Sequence, residues 1–368
     1  WGRRVKEKGS EWNVTPDVSV PELRPYMRSR VSYPWNRAKS EINSELQDLT
    51  TLWQVGVPAR IRANDAGVYR WSDPKVNSSI LGVTGKKNPG ILDKLIDINR
   101  TSKGPQVKPA KITRSTQTWR DVSPVEFFVD YESIQGLLRE DFSTFPNKGD
   151  DFELIYMIGC GYSLNRIWQD FQCFVVSDLT QPSEEQIFRD WFDYMNGVCV
   201  NHGISPNSAQ MIHWGDFERN RNTSARERAG NPSWWPPSRP TQTQIGKGAT
   251  IPANALNLWD MNSELIGQVP FGVTGAFRWG IKEFSKCMAA VPAASGSINL
   301  WPSPSPIEHG QAASLAPLPA AQAGTILNIR DPTDSSKFAD PLIEASRVYN
   351  EVDCKIMFDI LEYLRINH

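Results

Sequence analysis

An apolar segment that ends in two closely spaced acids constrains the fold of this chain more than any other feature. Residues 125–132 read Val-Glu-Phe-Phe-Val-Asp-Tyr-Glu, and apolar and aromatic residues of this kind are typical of a buried β-strand. Because side chains two positions apart in a strand point to the same face, Asp130 and Glu132 are expected to lie side by side. Two adjacent carboxylates repel each other unless a cation lies between them. The segment therefore predicts a divalent metal site.

A second acidic motif lies near the carboxyl end of the chain. Residues 349–353 read Tyr-Asn-Glu-Val-Asp, within an amphipathic pattern that predicts a helix over residues 341–366. Residues four apart on a helix share a face, so the Tyr349 phenol and the Asp353 carboxylate are expected to point the same way. We interpret the two motifs as parts of one site, which a further acid would complete.

Charge and hydropathy exclude two broad classes of protein. The formal net charge is -1, without the basic excess of a protein that coats nucleic acid by charge alone, so any nucleic-acid contact is expected to be local. No uninterrupted apolar run approaches the roughly 18 residues of a transmembrane helix, and no membrane partner is expected. The five cysteines are scattered without a C-x-x-C pair, which indicates free thiols and an intracellular, reducing compartment.

The amino-terminal part of the chain is predicted to precede the domain with the acids. Residues 1–40 are basic and irregular, and we interpret them as a linker or the tail of an upstream domain. Residues 41–115 predict a small all-α module, with short amphipathic helices joined by turns that contain Gly and Pro. Its basic residues either contact a phosphodiester backbone or are the ordinary solvated charges of a helical packing domain: Arg60, Arg62, Arg70, Lys86, Lys87 and Arg100.

Residues 118–368 predict an α/β domain. Three strands with short connections predict an antiparallel meander, and alternating helices and strands follow it. Pro-rich segments near residues 228–250 and 291–324 cannot continue a helix or a central strand, so we interpret them as insertions. The adjacent Trp234 and Trp235 form either a stacking platform for bases or a rigid loop packed on its own domain.

The element order and three motifs resemble the ribonuclease H-like fold of the DEDD superfamily of 3′-5′ exonucleases, in its tyrosine-bearing branch. The motifs are the strand with Asp130 and Glu132, the junction His-Trp-Gly-Asp-Phe-Glu at residues 213–218, and the helix with Tyr349 and Asp353. More closely, residues 118–366 are similar to the ribonuclease H-like domain that is attached to RecB-like nucleases. The preceding helical segment resembles the hairpin-rich, nucleic-acid-binding module found before that domain.

The acid of the junction motif remains open among three residues. Glu218 occupies the position where the family usually has Asp, and its longer side chain can still reach a metal. Asp216 competes with it, but helical residues two apart are rotated by about 200°, so only one of the pair can face the site. Asp260 is a third candidate, and the family pattern favours a structural role for it. We rank Glu218 first, then Asp216, then Asp260.

The resemblance implies a divalent-metal-dependent 3′-5′ exonuclease that hydrolyses phosphodiester bonds of DNA or RNA by a two-metal mechanism. It implies two Mg²⁺ or Mn²⁺ ions held by Asp130, Glu132, Glu218 and Asp353, and a water oriented by Tyr349. The implied partners are a single-stranded 3′ end and a fused or associated RecB-like nuclease or helicase. The departure at Glu218 leaves an alternative: a catalytically weak or inactive ribonuclease H-like domain that serves as a nucleic-acid-binding scaffold.

Overall fold

In a computed structural model, the chain folds into two compact units. The first unit consists of Trp1–Lys111 and Pro270–Ser295, and the second of Ile112–Val269 and Gly296–His368. The structure describes the whole chain apart from these residues: 16–17, 30–31, 33–34, 114–118, 136–152, 241, 253–254, 269–270, 303 and 308–309.

The described residues form helices and short strands throughout both units. The helices are α1 (Gly2–Lys8), α2 (Asn36–Leu46), α3 (Val57–Asp65), α4 (Ser78–Leu81), α5 (Asn88–Thr101), α6 (Gln181–Asn201), α7 (Phe217–Arg228), α8 (Gln242–Ile245), α9 (Met261–Ser263), α10 (Ile281–Ala289), α11 (Gly310–Leu315), α12 (Leu318–Gln322) and α13 (Pro341–Asn367). The strands are β1 (Val107–Lys108), β2 (Val125–Gln135), β3 (Glu153–Leu164), β4 (Ile167–Val175), β5 (Gln210–His213), β6 (Leu258–Asp260) and β7 (Gly272–Val273).

The first unit is mainly helical and has an apolar core of its own. In α5, Pro89 lies in the first turn, where a backbone N–H has no hydrogen-bond partner within the helix, so its absence is tolerated. Leu92 and Ile96 lie four residues apart on the buried face of the helix. Buried apolar residues from this helix and the segments before it make the core: Leu49, Leu52, Val55, Ala63, Val68, Val76, Leu81, Leu92 and Ile96. The only strand pairing in the described part of this unit is the short antiparallel ladder of β1 and β7.

Residues 270–295 belong to this first unit, which corrects their predicted place in the α/β domain of residues 118–368. The pairing of β7 with β1 holds them there. The Arg278 guanidinium also donates hydrogen bonds to the backbone carbonyls of Met27 and Thr51. These contacts join residues more than 160 positions apart, as the pairing of Val107 with Val273 illustrates, and no local sequence pattern predicts such a return.

Part of the amino-terminal segment also packs within the first unit. Buried Arg60 donates a 2.8 Å hydrogen bond to the Pro25 carbonyl, and the Thr50 hydroxyl donates to the same oxygen at 3.2 Å. The predicted helical module of residues 41–115 is therefore one portion of a larger unit that includes residues from the predicted tail, 1–40.

The basic residues of the predicted module fall into two groups. Arg60 is buried and bonded to Asp48, while Arg62 and Arg100 donate to backbone carbonyls. The other three side chains are exposed: Arg70, Lys86 and Lys87. Three of the six basic residues, Arg60, Arg62 and Arg100, therefore stabilise the fold of the first unit.

The second unit is an α/β structure on a five-stranded mixed sheet, which confirms the predicted α/β class. The strand order is β4-β3-β2-β5-β6. β2, β3 and β4 are antiparallel neighbours, as the predicted meander requires. β5 then pairs parallel to β2, and β6 parallel to β5. A parallel neighbour requires a crossover connection, and α6 lies in the connection between β4 and β5.

The two faces of β2 pack against different helices. The Tyr131 ring lies 5.7 Å from the Phe188 ring of α6, whereas the Phe128 ring lies 5.5 Å from the Phe358 ring of α13. Because side chains alternate along a strand, residues 130 and 132 share the face of Phe128. The strand period alone therefore directs both acids to the side of the sheet that α13 covers.

The Pro-rich insertions are more ordered than their composition predicts. The segment over residues 291–324 includes α11 and α12. Trp235 is only 1% exposed and its ring lies 4.1 Å from that of Phe188, while Arg189 covers the Trp234 ring at 3.7 Å. These contacts favour the interpretation of the Trp-Trp pair as a loop packed on its own unit.

The five cysteines are free, and four of them are buried. Among the described residues, no helix combines the length and apolar character that crossing a membrane requires.

An ion pair fixes the carboxyl-terminal end of α13 against β2. Arg365 donates to both carboxylate oxygens of Glu126 at 2.5 and 2.8 Å, and its side chain is only 4% exposed. The same guanidinium donates to the backbone carbonyl of Trp119. A buried carboxylate with both oxygens bonded to one arginine is stable only while that partner is present.

We predict that Arg365→Met destabilises the second unit by about 3–5 kcal/mol, because Glu126 is left charged and buried. Urea unfolding followed by tryptophan fluorescence measures the change. The double variant Arg365→Met with Glu126→Leu should recover part of the loss, since no uncompensated charge remains. Arg37→Met is the matched control, because Arg37 pairs with Glu41 at the surface, and it should leave the unfolding midpoint unchanged. A similar shift for both single variants would contradict the prediction.

Candidate metal centre

Three acids from β2 and α13 come together at the sheet. One carboxylate oxygen from each of Asp130, Glu132 and Asp353 lies within 4.8 Å of the other two. Glu132 is 6% exposed and Asp353 is 4% exposed, whereas Asp130 is partly exposed. The two motifs predicted to form one site are therefore adjacent in space.

A close contact between α13 and β3 positions Asp130. Asn350, fully buried, donates from Nδ2 to Asp130 Oδ2 at 2.7 Å and to the Asp130 carbonyl at 3.2 Å. The cross-strand neighbour of Asp130 is Gly159, and a Cβ placed there would lie 1.4 Å from Asn350 Oδ1. Only a glycine leaves room for the amide that holds the carboxylate, which explains why β3 has a glycine at this position.

A register irregularity lies beside Glu132. Glu132 pairs with Met157 and Ser133 pairs with Ile155, so Tyr156 is an additional residue on the β3 side. The Tyr156 hydroxyl donates a 2.8 Å hydrogen bond to the Ala313 carbonyl of α11. The bulge thus aims a tyrosine at the segment that covers the end of β2, and bulges of this kind re-aim side chains near functional sites.

Glu218 reaches the cluster from a third element. It lies in the first turn of α7, which follows the carboxyl end of β5, and β5 runs parallel to β2. Because the carboxyl ends of parallel strands meet at one edge of a sheet, the start of α7 lies near Asp130. Glu218 is 3% exposed and forms a side-chain hydrogen bond with Asp130. Of the three junction candidates, it is the acid that the structure places beside Asp130.

The other two junction candidates have different places. The side chain of Asp216 is 71% exposed and lies 3.8 Å from the Arg219 guanidinium. Asp260 is buried and accepts hydrogen bonds from the Gly215 and Ser263 amides at 2.9 and 3.0 Å. Gly215 has φ of +99°, so Asp260 fixes the left-handed turn between β5 and α7. Its role is to shape the turn that directs Glu218.

The electrostatics of the cluster are dominated by like charges. Burial raises the pKa of Asp130 well above its ordinary value, and the neighbouring carboxylates of Asp353, Glu132 and Glu218 raise it further. A hydrogen bond between two carboxyl groups requires a proton, and the bond with Glu218 also raises this pKa. Burial, the neighbouring carboxylates and the hydrogen bond with Glu218 therefore all favour the neutral form of Asp130.

Tyr349 lies beside the cluster, as the helical spacing predicts. Its phenol forms a side-chain hydrogen bond with Asp353 and is buried, with 7% of the residue exposed. Burial raises the pKa of this phenol, and the carboxylates of Asp353, Glu132 and Asp130 raise it further. The Tyr349 hydroxyl is therefore protonated at neutral pH and can donate a hydrogen bond.

An apolar wall packs against the Tyr349 ring. It is made by residues from the second Pro-rich insertion, including Ile307, Ala313 and Ala316, and by the partly buried Trp301. The centroids of the Trp301 and Tyr349 rings are 6.4 Å apart. The insertion thus restricts the position of Tyr349.

Sequence reasoning missed Asn350, Gly159 and the Asp260 turn. Asn350 lay within the recognised motif, but its neighbours Tyr349 and Asp353 carried the chemistry that the pattern suggested. The available signal was the Gly-Cys-Gly of residues 159–161 within an otherwise bulky strand, since a glycine there indicates close approach of another group.

The donor set suits a hard divalent cation. The candidate ligands are carboxylate oxygens, which Mg²⁺ and Mn²⁺ prefer, and a cation would remove the repulsion that raises the pKa of Asp130. Asp130, Glu132 and Asp353 could hold one ion, and Glu218 extends the set on the side of Asp130. The residues present therefore fit a divalent metal.

Comparison with protein-family models, with curated proteins and with solved structures gives no match to this chain. The chemical interpretation of the site accordingly depends on its geometry.

We predict that Asp130→Asn has opposite effects on stability without and with a divalent metal. The raised pKa of Asp130 means that the folded state holds this proton more tightly than the unfolded chain. The stability of the metal-free protein therefore falls as pH rises from roughly 4, the ordinary carboxyl pKa, towards the raised folded value. At neutral pH in EDTA, the neutral asparagine should unfold at a higher temperature than the parent.

Adding Mn²⁺ should reverse that order. At a concentration of about 100 times its Kd, a ligand of the folded state adds about 2.7 kcal/mol of stability. The parent should gain this increment and Asp130→Asn should gain little. Differential scanning fluorimetry in EDTA and in Mn²⁺ tests both effects. Equal gains from Mn²⁺ would argue against metal binding by Asp130, and a lower melting temperature of the variant in EDTA would argue against the raised pKa of this acid.

Proposed function

We propose that this chain is a divalent-metal-dependent 3′-5′ exonuclease that hydrolyses phosphodiester bonds of DNA or RNA with two Mg²⁺ or Mn²⁺ ions. The observation that carries the proposal is the convergence of acids from three separate elements, β2, α7 and α13, on one largely buried cluster. Acids that merely flank secondary structure are solvated, as Asp216 is. Acids buried together raise one another's pKa, and a bound cation relieves the repulsion between them.

We assign the second unit to the ribonuclease H-like fold. Its support is the strand order β4-β3-β2-β5-β6, with an antiparallel meander followed by two parallel strands. In this assignment the central strand β2 holds Asp130 and Glu132, and the last helix holds Tyr349 and Asp353. These are the positions at which the resemblance to tyrosine-branch DEDD exonucleases places the corresponding residues.

The chain's residues have distinct roles in the proposed reaction. The bound ions would polarise the scissile phosphate and stabilise the leaving 3′ oxygen. Asp130, Glu132, Asp353 and Glu218 hold them, and Asn350 keeps the Asp130 carboxylate in one orientation. Tyr349, protonated and bonded to Asp353, orients the attacking water through its phenol.

The proposed substrate is a single-stranded 3′ end of nucleic acid. The chain is nearly neutral, so the contact must be local rather than a general basic surface. We assign nucleic-acid binding to the first unit, where Arg70, Lys86 and Lys87 remain exposed. A RecB-like nuclease or helicase, fused or associated, would supply such ends.

The direct test is digestion of 5′-labelled single-stranded DNA and RNA with Mg²⁺ or Mn²⁺. A ladder that shortens from the 3′ end, and that vanishes with EDTA or with a blocked 3′ terminus, supports the proposal. A circular single strand controls for internal cleavage. Binding of Mn²⁺ and nucleic acid without any digestion would instead favour a scaffold, and cleavage of the circle would contradict an exonuclease.

We predict that Glu218→Gln lowers kcat by about 10³-fold, which corresponds to roughly 4 kcal/mol of transition-state stabilisation, as expected for loss of a metal ligand. Asp130→Ala and Asp353→Ala should lose at least as much. Asp216→Asn is the matched control, since it removes an acid two residues away that is exposed, and its kcat should equal the parent's. Should Asp216→Asn be the damaging change and Glu218→Gln the silent one, the assigned ligand is wrong.

We predict that Tyr349→Phe lowers kcat by about 10²-fold, the effect of losing orientation of a reacting group, while Mn²⁺ affinity remains unchanged. The phenyl ring preserves the packing against the apolar wall, and only the hydroxyl is lost. Tyr363→Phe removes a hydroxyl from the same helix away from the cluster and should have no effect. Titration calorimetry with Mn²⁺ and single-turnover kinetics separate the two effects. Weakened Mn²⁺ binding by Tyr349→Phe would assign the phenol to the metal instead.

A further inference from the structure

A histidine is buried behind Glu218 on the last residue of β5. His213 is 0% exposed, and its Nδ1 lies 3.3 Å from Glu218 Oε2. Neither of these two atoms has a hydrogen-bond partner among the described residues, the other atom of the pair included. Nε2 of the same ring is also without a hydrogen-bond partner among them. The imidazole is therefore fully buried, with the Glu218 carboxylate 3.3 Å from its Nδ1 atom.

Burial of the imidazole without a hydrogen bond lowers the stability of the fold, unless the ring donates a hydrogen bond to Glu218. A buried polar atom without a hydrogen bond destabilises a protein by about 1–3 kcal/mol, and an apolar side chain would avoid that loss. The two atoms are 3.3 Å apart without forming a hydrogen bond in this structure, and a reorientation of the ring or of the carboxylate would form one. The chain order brings the two residues together, because His213 is the last residue of β5 and Glu218 lies in the first turn of α7, the helix that follows β5.

We propose that His213 is a positioning residue that holds the Glu218 carboxylate in the orientation required to bind a divalent cation together with Asp130. The inference rests on the proposed metal centre. With the metal bound, Nδ1–H would donate to Glu218 Oε2 and leave the other carboxylate oxygen to face Asp130, with which Glu218 forms a hydrogen bond. His213 acts through Glu218 and touches neither metal nor substrate.

The length of the glutamate side chain explains the need for a second contact. Glu218 stands where the resembling family usually has aspartate, and glutamate has one more rotatable bond. Ordering such a side chain costs up to about 2 kcal/mol of rotamer entropy. A donor fixed on a central strand removes that freedom before the cation binds, as donors behind metal ligands do in many proteins. In this proposal His213 and Glu218 work as a pair, in which the ring restricts the longer acid.

The test compares two substitutions of His213 by Mn²⁺ titration of the full chain, without nucleic acid. In His213→Asn, the amide nitrogen is as many bonds from Cα as Nδ1 and can donate to Glu218. In His213→Leu, a similar volume is kept but no donor remains. We expect His213→Leu to weaken one Mn²⁺ site by about 10–100-fold, the usual effect of losing a donor behind a ligand, and His213→Asn to restore most of that affinity. His202→Leu removes an exposed imidazole and should change nothing.

The metal dependence of digestion gives a second readout. His213→Leu should need a higher Mn²⁺ concentration for half-maximal activity and should recover nearly the parent kcat when Mn²⁺ is saturating. Parent-like Mn²⁺ binding by His213→Leu would overturn the inference, as would equal weakening in both variants. A parent that binds no Mn²⁺ would overturn both this inference and the proposed function. A parent that binds Mn²⁺ in a His213-dependent way but digests nothing would support the inference and remove only the nuclease assignment.

Discussion

The burial of several acids beside one another is the constraint on which the second unit depends. Carboxylates in a low-dielectric environment repel strongly, and the pKa of Asp130 is raised by its burial and by three neighbouring acids. A fold keeps such a cluster only if other contacts outweigh the repulsion. Here the donors that face the acids come from fixed elements: Asn350 from α13, the Tyr349 phenol from the same helix, and the His213 ring from β5.

Two contacts along β2 fix the register of α13 on the sheet. Near the start of the strand, Arg365 binds Glu126 through both carboxylate oxygens. In the middle of the strand, Asn350 binds the Asp130 side chain and carbonyl, in the space that Gly159 leaves open. Since a helix is stiff, the ion pair at its far end helps to determine where Asp353 lies. Stability at the end of the helix and geometry at the acidic cluster are consequently linked.

Much of the acidic cluster could be predicted from sequence because it follows from two short-range periods. The strand period places Asp130 beside Glu132, and the helical period places Tyr349 above Asp353. The choice between Glu218 and Asp216 needed the actual rotation of α7, which exposes Asp216. Contacts between distant segments were not predictable: Asn350 over Gly159, or the return of residues 270–295 to pair with β1 in the first unit. These contacts join residues more than 160 positions apart, as Val107 and Val273 are, and local sequence patterns do not predict which distant segments meet.

Charge balance explains why a pair of divalent cations suits this cluster better than a shared proton. Asp130, Glu132, Glu218 and Asp353 carry four negative charges when ionised, and one proton between Asp130 and Glu218 would leave three. Such a cluster would repel a phosphodiester, which is itself an anion. In the proposed function, two divalent cations would balance all four charges, and the phosphate would approach a neutral site with exposed positive centres. Bound cations would thus both relieve the repulsion that raises the pKa of Asp130 and attract the anionic substrate.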